Sequence, residues 1–268
     1  MVVPVESDIQ LITKDGKRSL ELLLEPAIRA PHVQSECLGS FVVGGAEYRL
    51  PRLTYRDPNI SDPIRLGIFA AIHGDEPASA LAVVQLLREL SAQPAMAEGY
   101  RIDAYPVCNP TGFEDNTRHS RAGKDLNREF WKNSSEPEVQ LLEKELRARH
   151  FQGIIQLHAD DTSEGLYGFV RGHTLTEALL RPALREAGKI LPRNVNATID
   201  GFAARDGIIY KAYEGILAAP AEVDPVPFEI IFETPHAAPV REQAEAIIVA
   251  LKTIMAEYRS LLAFAQNI

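Results

Sequence analysis

Short apolar runs alternating with segments of helical period predict an α/β fold, a three-layer sandwich whose mixed, largely parallel central sheet is flanked by helices. Three observations carry this expectation. Residues 66–72 (LGIFAAI), 153–157 and 228–232 (FEIIF) are apolar runs of the length of buried central strands. Segments 78–90, 136–150 and 174–188 between them repeat apolar residues at helical spacing. The 268 residues, 46% hydrophobic and 24% charged, form an ordinary globular composition. One core of that size buries roughly 70–75% of the unfolded surface.

In chain order, the first 35 residues are mixed and are expected to be a peripheral extension, with a helix over 20–28. A strand pair is expected over 39–55, where Phe41, Val42 and Val43 precede Gly44-Gly45 and Tyr48, Leu50, Leu53 and Tyr55 follow. Pro58 and Pro63 mark a loop before the first central strand. Pro77 suits the first turn of the following helix, where no N–H partner is needed. Residues 101–107 and 166–170 read as further strands. Segment 109–128 is polar and reads as a long loop; 190–227, with its prolines and glycines, reads as loops around a mouth. Pro239 opens a final helix that runs beyond Tyr258. No linker divides the chain, so one domain over residues 1–268 is expected.

The 28 Lys and Arg against 37 Asp and Glu give a net charge of −9, which argues against a nucleic-acid or anionic-membrane partner. Cys37 and Cys108 lack metal-type spacing and suit a reducing compartment. The N-terminus lacks a basic start followed by an apolar core, and no run reaches the ~20 apolar residues of a membrane span. A cytoplasmic setting is expected; oligomeric state is not legible.

Functional groups of α/β sheets gather beyond the carboxyl ends of strands. At those positions stand His73 and Glu76 (IHGDE), His158 after IIQL, Glu233 after EIIF, and Asn127-Arg128 closing the polar loop. His73 and Glu76, three apart with Gly74 to allow a tight turn, can face one divalent ion, or simply form a polar pair in a solvated turn. His158 is the candidate second histidine, or a structural one. Zinc takes two histidines and a glutamate and keeps a position for water. A base must then take that water's proton, and Glu233 is the candidate; alone it would read as a strand-end carboxylate before Pro235. Four cations within eleven residues, Arg118, Arg121, Lys124 and Arg128, suit an anionic substrate. Arg128 with Asn127 offers a fork for a carboxylate.

HGDE at 73–76, NPTGF at 109–113, TRHSRAGKDLNREF at 117–130, LH at 157–158 and FETP at 232–235 together resemble the zinc carboxypeptidases of the carboxypeptidase A superfamily, in order and spacing, over roughly residues 38–260. The ligand set is the one known for carboxypeptidase A itself. The HGDE form is similar to bacterial murein-peptide amidases and to the succinylglutamate desuccinylase and aspartoacylase branch; digestive members carry arginine in place of Asp75. The resemblance implies one zinc ion held by His73, Glu76 and His158, with Glu233 as general base and acid. It implies that Arg118 polarises the scissile carbonyl and that Asn127 and Arg128 grip a terminal carboxylate, with Arg121 adding to that grip.

The resemblance therefore implies a single catalytic metallohydrolase domain, a zinc metallocarboxypeptidase-like enzyme cleaving an amide next to a free carboxylate in a small peptide. An N-acyl amino acid deacylase using the same residues is the alternative, and a metal-binding module without catalysis a more distant one. The deacylase branch usually carries an appended β domain for which the segment after Glu233 leaves no room, favouring the peptidase branch. Tyr210 is expected to cover the substrate, Tyr213 being the other candidate by position; either could equally be a packed aromatic. Asp160 and Asp161 could orient a ligand histidine, select a cationic group, or lie in a solvated loop.

Overall fold

The computed structural model describes residues 16–57, 60–171, 173–211 and 213–265. Its ten strands form one sheet in the order β1-β2-β4-β3-β5-β10-β6-β9-β8-β7. β1 (Val33–Val43) and β2 (Ala46–Arg56) are joined by Gly44-Gly45, both at positive φ, the geometry of a tight hairpin turn. β2 runs antiparallel to β4 (Tyr100–Tyr105). β4, β3 (Ile64–Phe69), β5 (Gly153–Asp160) and β10 (Phe228–Pro235) are mutually parallel and make the centre. β6 (Tyr167–Val170) returns antiparallel beside β10. The edge is completed by β7 (Thr198–Ile199), β8 (Phe202–Arg205) and β9 (Ile208–Ile209), short strands inside the segment expected to be loops.

Side chains alternate across the sheet, and the two faces bury different partners. Leu66, Ile68, Ile102, Ile155, Leu157, Ile230 and Phe232 meet one layer of helices: α1 (Leu20–Ile28), α2 (Pro77–Ala92) and the long α7 (Val240–Ala265). A composite helix joins this layer, with α5 (His173–Leu175) and α6 (Arg181–Ala187) separated by a π turn. On the other face Phe69, Tyr105 and Ile154 bury Val139, Leu142 and Leu146 of α4 (Pro137–Ala148). The three-layer sandwich of the sequence analysis is thus the observed architecture. No helix among the described residues is long and apolar enough to cross a membrane.

One expectation is corrected: the stretch 1–35 is not peripheral where it is described. α1 is capped by Ser19, whose Oγ accepts from the Leu22 N–H at 3.3 Å, and it buries Leu23, Leu24 and Ala27 in the main core. Residues 1–15 lie outside the described residues.

Candidate active site

After β3 the chain turns sharply into α2. Ala71 adopts φ +45°, an unfavourable region for a residue with a Cβ. Ser79 secures it, accepting from the Ala71 N–H at 3.0 Å and donating to the Glu76 carbonyl at 2.8 Å. Glu76 occupies the N-cap of α2 ahead of Pro77 at the first helical position. Gly74 serves a purpose other than turn geometry. A Cβ there would lie 1.9 Å from the carbonyl carbon of Gly112, so the two backbones meet where no side chain fits.

Gly112 belongs to α3 (Pro110–Asp115), a short helix inside the segment expected to be loop. Asn109 caps it, its Oδ1 accepting from the Gly112 N–H at 2.9 Å, while its Nδ2 donates to the Arg118 carbonyl at 3.3 Å. NPTGF thereby ties Arg118 to the HGDE turn. Further on, Asp125 caps a 3-10 turn at Leu126–Arg128 by accepting from the Asn127 N–H. The Asp125 carboxylate also takes a bond from Arg118 Nη2 at 3.1 Å and lies 3.2 Å from His73 Nε2.

β5 and β10 each extend to include their functional residue, so His158 and Glu233 lie within strands rather than just beyond them. His158 pairs in register with Glu233, and Glu233 with Tyr167 of β6. Register partners project to the same face, so these three side chains form a row across adjacent strands. Glu76 lies between the imidazoles, with Oε1 2.6 Å from His73 Nδ1 and Oε2 3.2 Å from His158 Nδ1.

Burial and charge shift this group strongly. Burial pushes the His73 imidazole down, but Glu76 and Asp125 outweigh it and raise the pKa to about 9. Burial alone would raise Glu76, yet the two histidines hold it at about 2. Burial, opposed by Glu76, leaves His158 below its ordinary value. Glu233 is pushed well above the usual carboxylate range by burial and by Glu76, Asp160 and Asp200, with Arg118 acting against them.

His73, Glu76 and His158 place three ligand atoms within 4.8 Å of one another. Glu76 Oε2 is buried without a hydrogen-bond partner although it faces an imidazole nitrogen. Two imidazoles and a carboxylate with such an orphaned oxygen fit a divalent ion, and the donor set is one that zinc accepts. The Asp125 carboxylate on His73 Nε2 would fix that ring's tautomer with Nδ1 toward a metal.

These residues line a cleft of about 230 Å³ together with Arg118, Asn127, Arg128, Asp160, Asp161, Asp200 and Tyr213. Asn127 Oδ1 accepts from the Leu217 N–H at 2.9 Å, and the Arg128 guanidinium lies 4.8 Å from the Tyr213 ring centre. The Tyr213 hydroxyl donates to the Asp200 carboxylate. Tyr213 therefore stands at the cleft, whereas Tyr210 is exposed and lines a neighbouring pocket. Asp160 accepts from the Tyr167 hydroxyl at 2.9 Å and contacts neither ligand histidine by hydrogen bond.

Arg121 is the clearest departure from expectation. It does not line the cleft; Asp115 binds it at 2.7 Å and 2.8 Å, and Glu114 and the Tyr48 hydroxyl complete its shell. Lys124 points to Glu129 at 3.6 Å, and His236 meets the Asp75 carbonyl. Sequence reading alone does not find Asp200 and Tyr167 as wall residues, nor Asp125 as the carboxylate behind His73 and Arg118. Asp125 alone had a local signal, its place in GKDLNR beside the two clamp candidates.

The catalytic-domain family of succinylglutamate desuccinylase and aspartoacylase matches residues 63–197, half of the chain, including His73, Glu76, Arg118, Asn127, Arg128 and His158. The chain belongs to this family. It is accordingly a hydrolase by family, and it shares its fold with solved metallo-carboxypeptidases. A candidate metallopeptidase of Shewanella denitrificans OS217 superposes with a TM-score of 0.72 at 24% identity, over 87% of each chain. A metallo-carboxypeptidase of Burkholderia cenocepacia gives 0.68 at 17%, over 90% of this chain and 68% of that one. One of Pseudomonas aeruginosa, in complex with (2-guanidinoethylmercapto)succinic acid, gives 0.63 at 20%, over 89% and 68%. At these identities the likeness establishes the shared fold. No curated protein sequence matches the chain.

Proposed function

We propose that this family member is a one-zinc amidase that cleaves the amide bond next to a free carboxylate in a small peptide. The observation that carries the reading is the Glu233–His158 register pair, which sets a carboxyl of raised pKa beside the metal-type triad and opposite Arg118 and Arg128. His73, Glu76 and His158 would hold the ion. When bound, zinc supplies a Lewis acid and makes water acidic enough to attack near neutral pH.

The remaining work falls to the chain's own groups. Glu233 takes a proton from the attacking water and returns it to the amide nitrogen as the C–N bond breaks, a cycle suited to a carboxyl that burial and neighbouring carboxylates raise above its ordinary range. Arg118, held by Asp125, faces the oxygen on which negative charge grows. Arg128 and Asn127 grip the substrate carboxylate, and Tyr213 closes over Arg128. The products are a carboxylic acid and an amine.

Asp160, Asp161 and Asp200 line the cleft as well. They suit a free ammonium on the acyl side and disfavour an acyl group with a second carboxylate, which supports a peptide substrate. The family match favours the second reading, an N-acyl amino acid deacylase using the same residues. Steady-state assays of short peptides, murein peptides, and N-acetyl and N-succinyl amino acids on zinc-loaded enzyme decide between them. Turnover confined to the N-acyl compounds would overturn the peptidase reading. The reading includes one catalytic domain acting in the cytoplasm, a setting that suits the free, exposed thiol of Cys37.

A further inference from the structure

Directly below the row His158–Glu233–Tyr167 lies a second row. Gln156 pairs in register with Ile231, and Ile231 with Phe169. Two residues along a strand amount to roughly 6.6 Å, so this row floors the next layer on the same face. The row beneath it carries Glu229, whose Oε1 accepts from the Ala219 N–H at 2.7 Å and whose Oε2 pairs with Arg171 at 3.2 Å. These rows enclose a pocket of about 130 Å³ that shares Phe169, Ile216 and Ile231 with the cleft above.

Gln156 is 2% exposed, lines this pocket, and has no hydrogen-bond partner at Oε1. An unmet buried acceptor is destabilising, so the pocket is incomplete without a donor. Segment 216–219 links the pocket to the carboxylate clamp. Ile216 walls both spaces, the Leu217 N–H holds Asn127, and the Ala219 N–H holds Glu229. The residue whose carboxylate rests on Asn127 and Arg128 therefore directs its own side chain toward Gln156.

The pocket's chemistry narrows the side chain. Phe169, Val170, Ile216 and Ile231 require an apolar stem. Glu229 is already neutralised by Arg171, and Lys211 at the rim adds positive charge, which disfavours a cation. A carboxylate supplies no donor for Oε1. We propose that this pocket is the specificity subsite for the leaving amino acid, selecting a short uncharged side chain that ends in an N–H or O–H donor, a carboxamide above all. The assignment rests on the amidase reading for its place in the reaction, and on Gln156 for its chemistry.

Two measurements on the zinc-loaded full chain test it. The first is the relative kcat/KM of peptides alike except for a C-terminal glutamine, asparagine, leucine, glutamate or lysine. The second is calorimetric binding of the corresponding free amino acids. The carboxamides should exceed leucine by about tenfold or more in both. Gln156→Leu should erase or invert that ratio, and Gln156→Met, flexible enough to fill the same space, should do likewise if the leucine variant folds poorly. Should no peptide be hydrolysed while free glutamine still binds above leucine in a Gln156-dependent way, the amidase reading falls and the subsite stands. Equal binding of glutamine and leucine by wild type, or an unchanged ratio in the folded variants, would overturn the subsite.

Discussion

Glu233 and His158 are register partners in the parallel pairing of β10 with β5, so the backbone ladder itself sets the proposed base beside a proposed metal ligand. Sheet hydrogen bonds are stiffer than loop contacts, and the separation of these side chains cannot drift without breaking the ladder.

Glu233→Gln keeps the side-chain shape but removes the proton acceptor. Zinc content should stay at one per chain while kcat falls about 10²–10⁴-fold. Metal analysis alongside single-turnover kinetics checks both halves; a variant that turned over normally would exclude Glu233 as the base.

Metal binding should release a proton. His73 is raised to about 9 in the metal-free protein, whereas His158 is lowered and already neutral near pH 7. Apparent zinc affinity should therefore rise about tenfold per pH unit toward pH 9 and then level off. Calorimetry in buffers of different ionisation enthalpy should count close to one proton released at neutral pH, and none well above pH 9.

The same groups give the metal-free protein a stability window. His73, raised from 6.5 to about 9, contributes stability that is complete below about pH 6.5 and is lost as pH rises through 9. Glu76, lowered from 4.5 to about 2, contributes stability above about pH 4.5 that is lost as pH falls through 2. Urea midpoints of the metal-free chain should show this pair's contribution greatest between those limits, and His73→Ala should flatten the alkaline side.

Arg128 and Arg121 should separate cleanly. Arg128→Ala removes one arm of the carboxylate grip and should raise KM about 10–100-fold with little change in the melting temperature. Arg121→Ala leaves Asp115 and Tyr48 without their partner, outside the cleft. It should cost ~1–2 kcal/mol of stability with KM unchanged. A KM effect of Arg121→Ala larger than that of Arg128→Ala would contradict the placement of both.

Gly74→Ala introduces a methyl group 1.9 Å from a backbone carbon of α3. The clash forces the HGDE turn and NPTGF apart and should destabilise the fold by at least ~2–3 kcal/mol, with weaker zinc binding. Denaturant midpoints and a zinc competition assay check this; an unchanged midpoint and zinc affinity would contradict the contact.

Those residues whose role depends on local pattern were legible in the sequence. The central strands announced themselves as apolar runs, and His73, Glu76, His158 and Glu233 stood where such runs end. What depends on three-dimensional approach was not legible. Gly74 reads as a turn glycine until Gly112 is seen against it. Arg121 looks identical in type and spacing to Arg118, yet Asp115 captures one guanidinium and Asp125 the other. The edge strands β7–β9 were missed although both of their turns are Asp-Gly pairs at positive φ, Asp200-Gly201 and Asp206-Gly207, a recognisable hairpin signal. Their strands are only two to four residues long, too short to show alternation. Tyr210 and Tyr213 are equivalent by position in the sequence, and the packing of Arg128 against one ring, together with that ring's bond to Asp200 and place in the cleft, distinguishes them.

The three-strand row has a consequence for how this enzyme can fail. A strand that slips by one residue turns every side chain to the opposite face. A one-step slip of β10 against β5 would bury Glu233 among the α7 contacts and present Phe232 to the cleft, while the backbone pairing and overall shape survived. Chemical competence is thus a digital reporter of correct strand alignment. Misaligned molecules would be compact and folded yet inert, and titration of active sites would count the properly threaded fraction of any preparation.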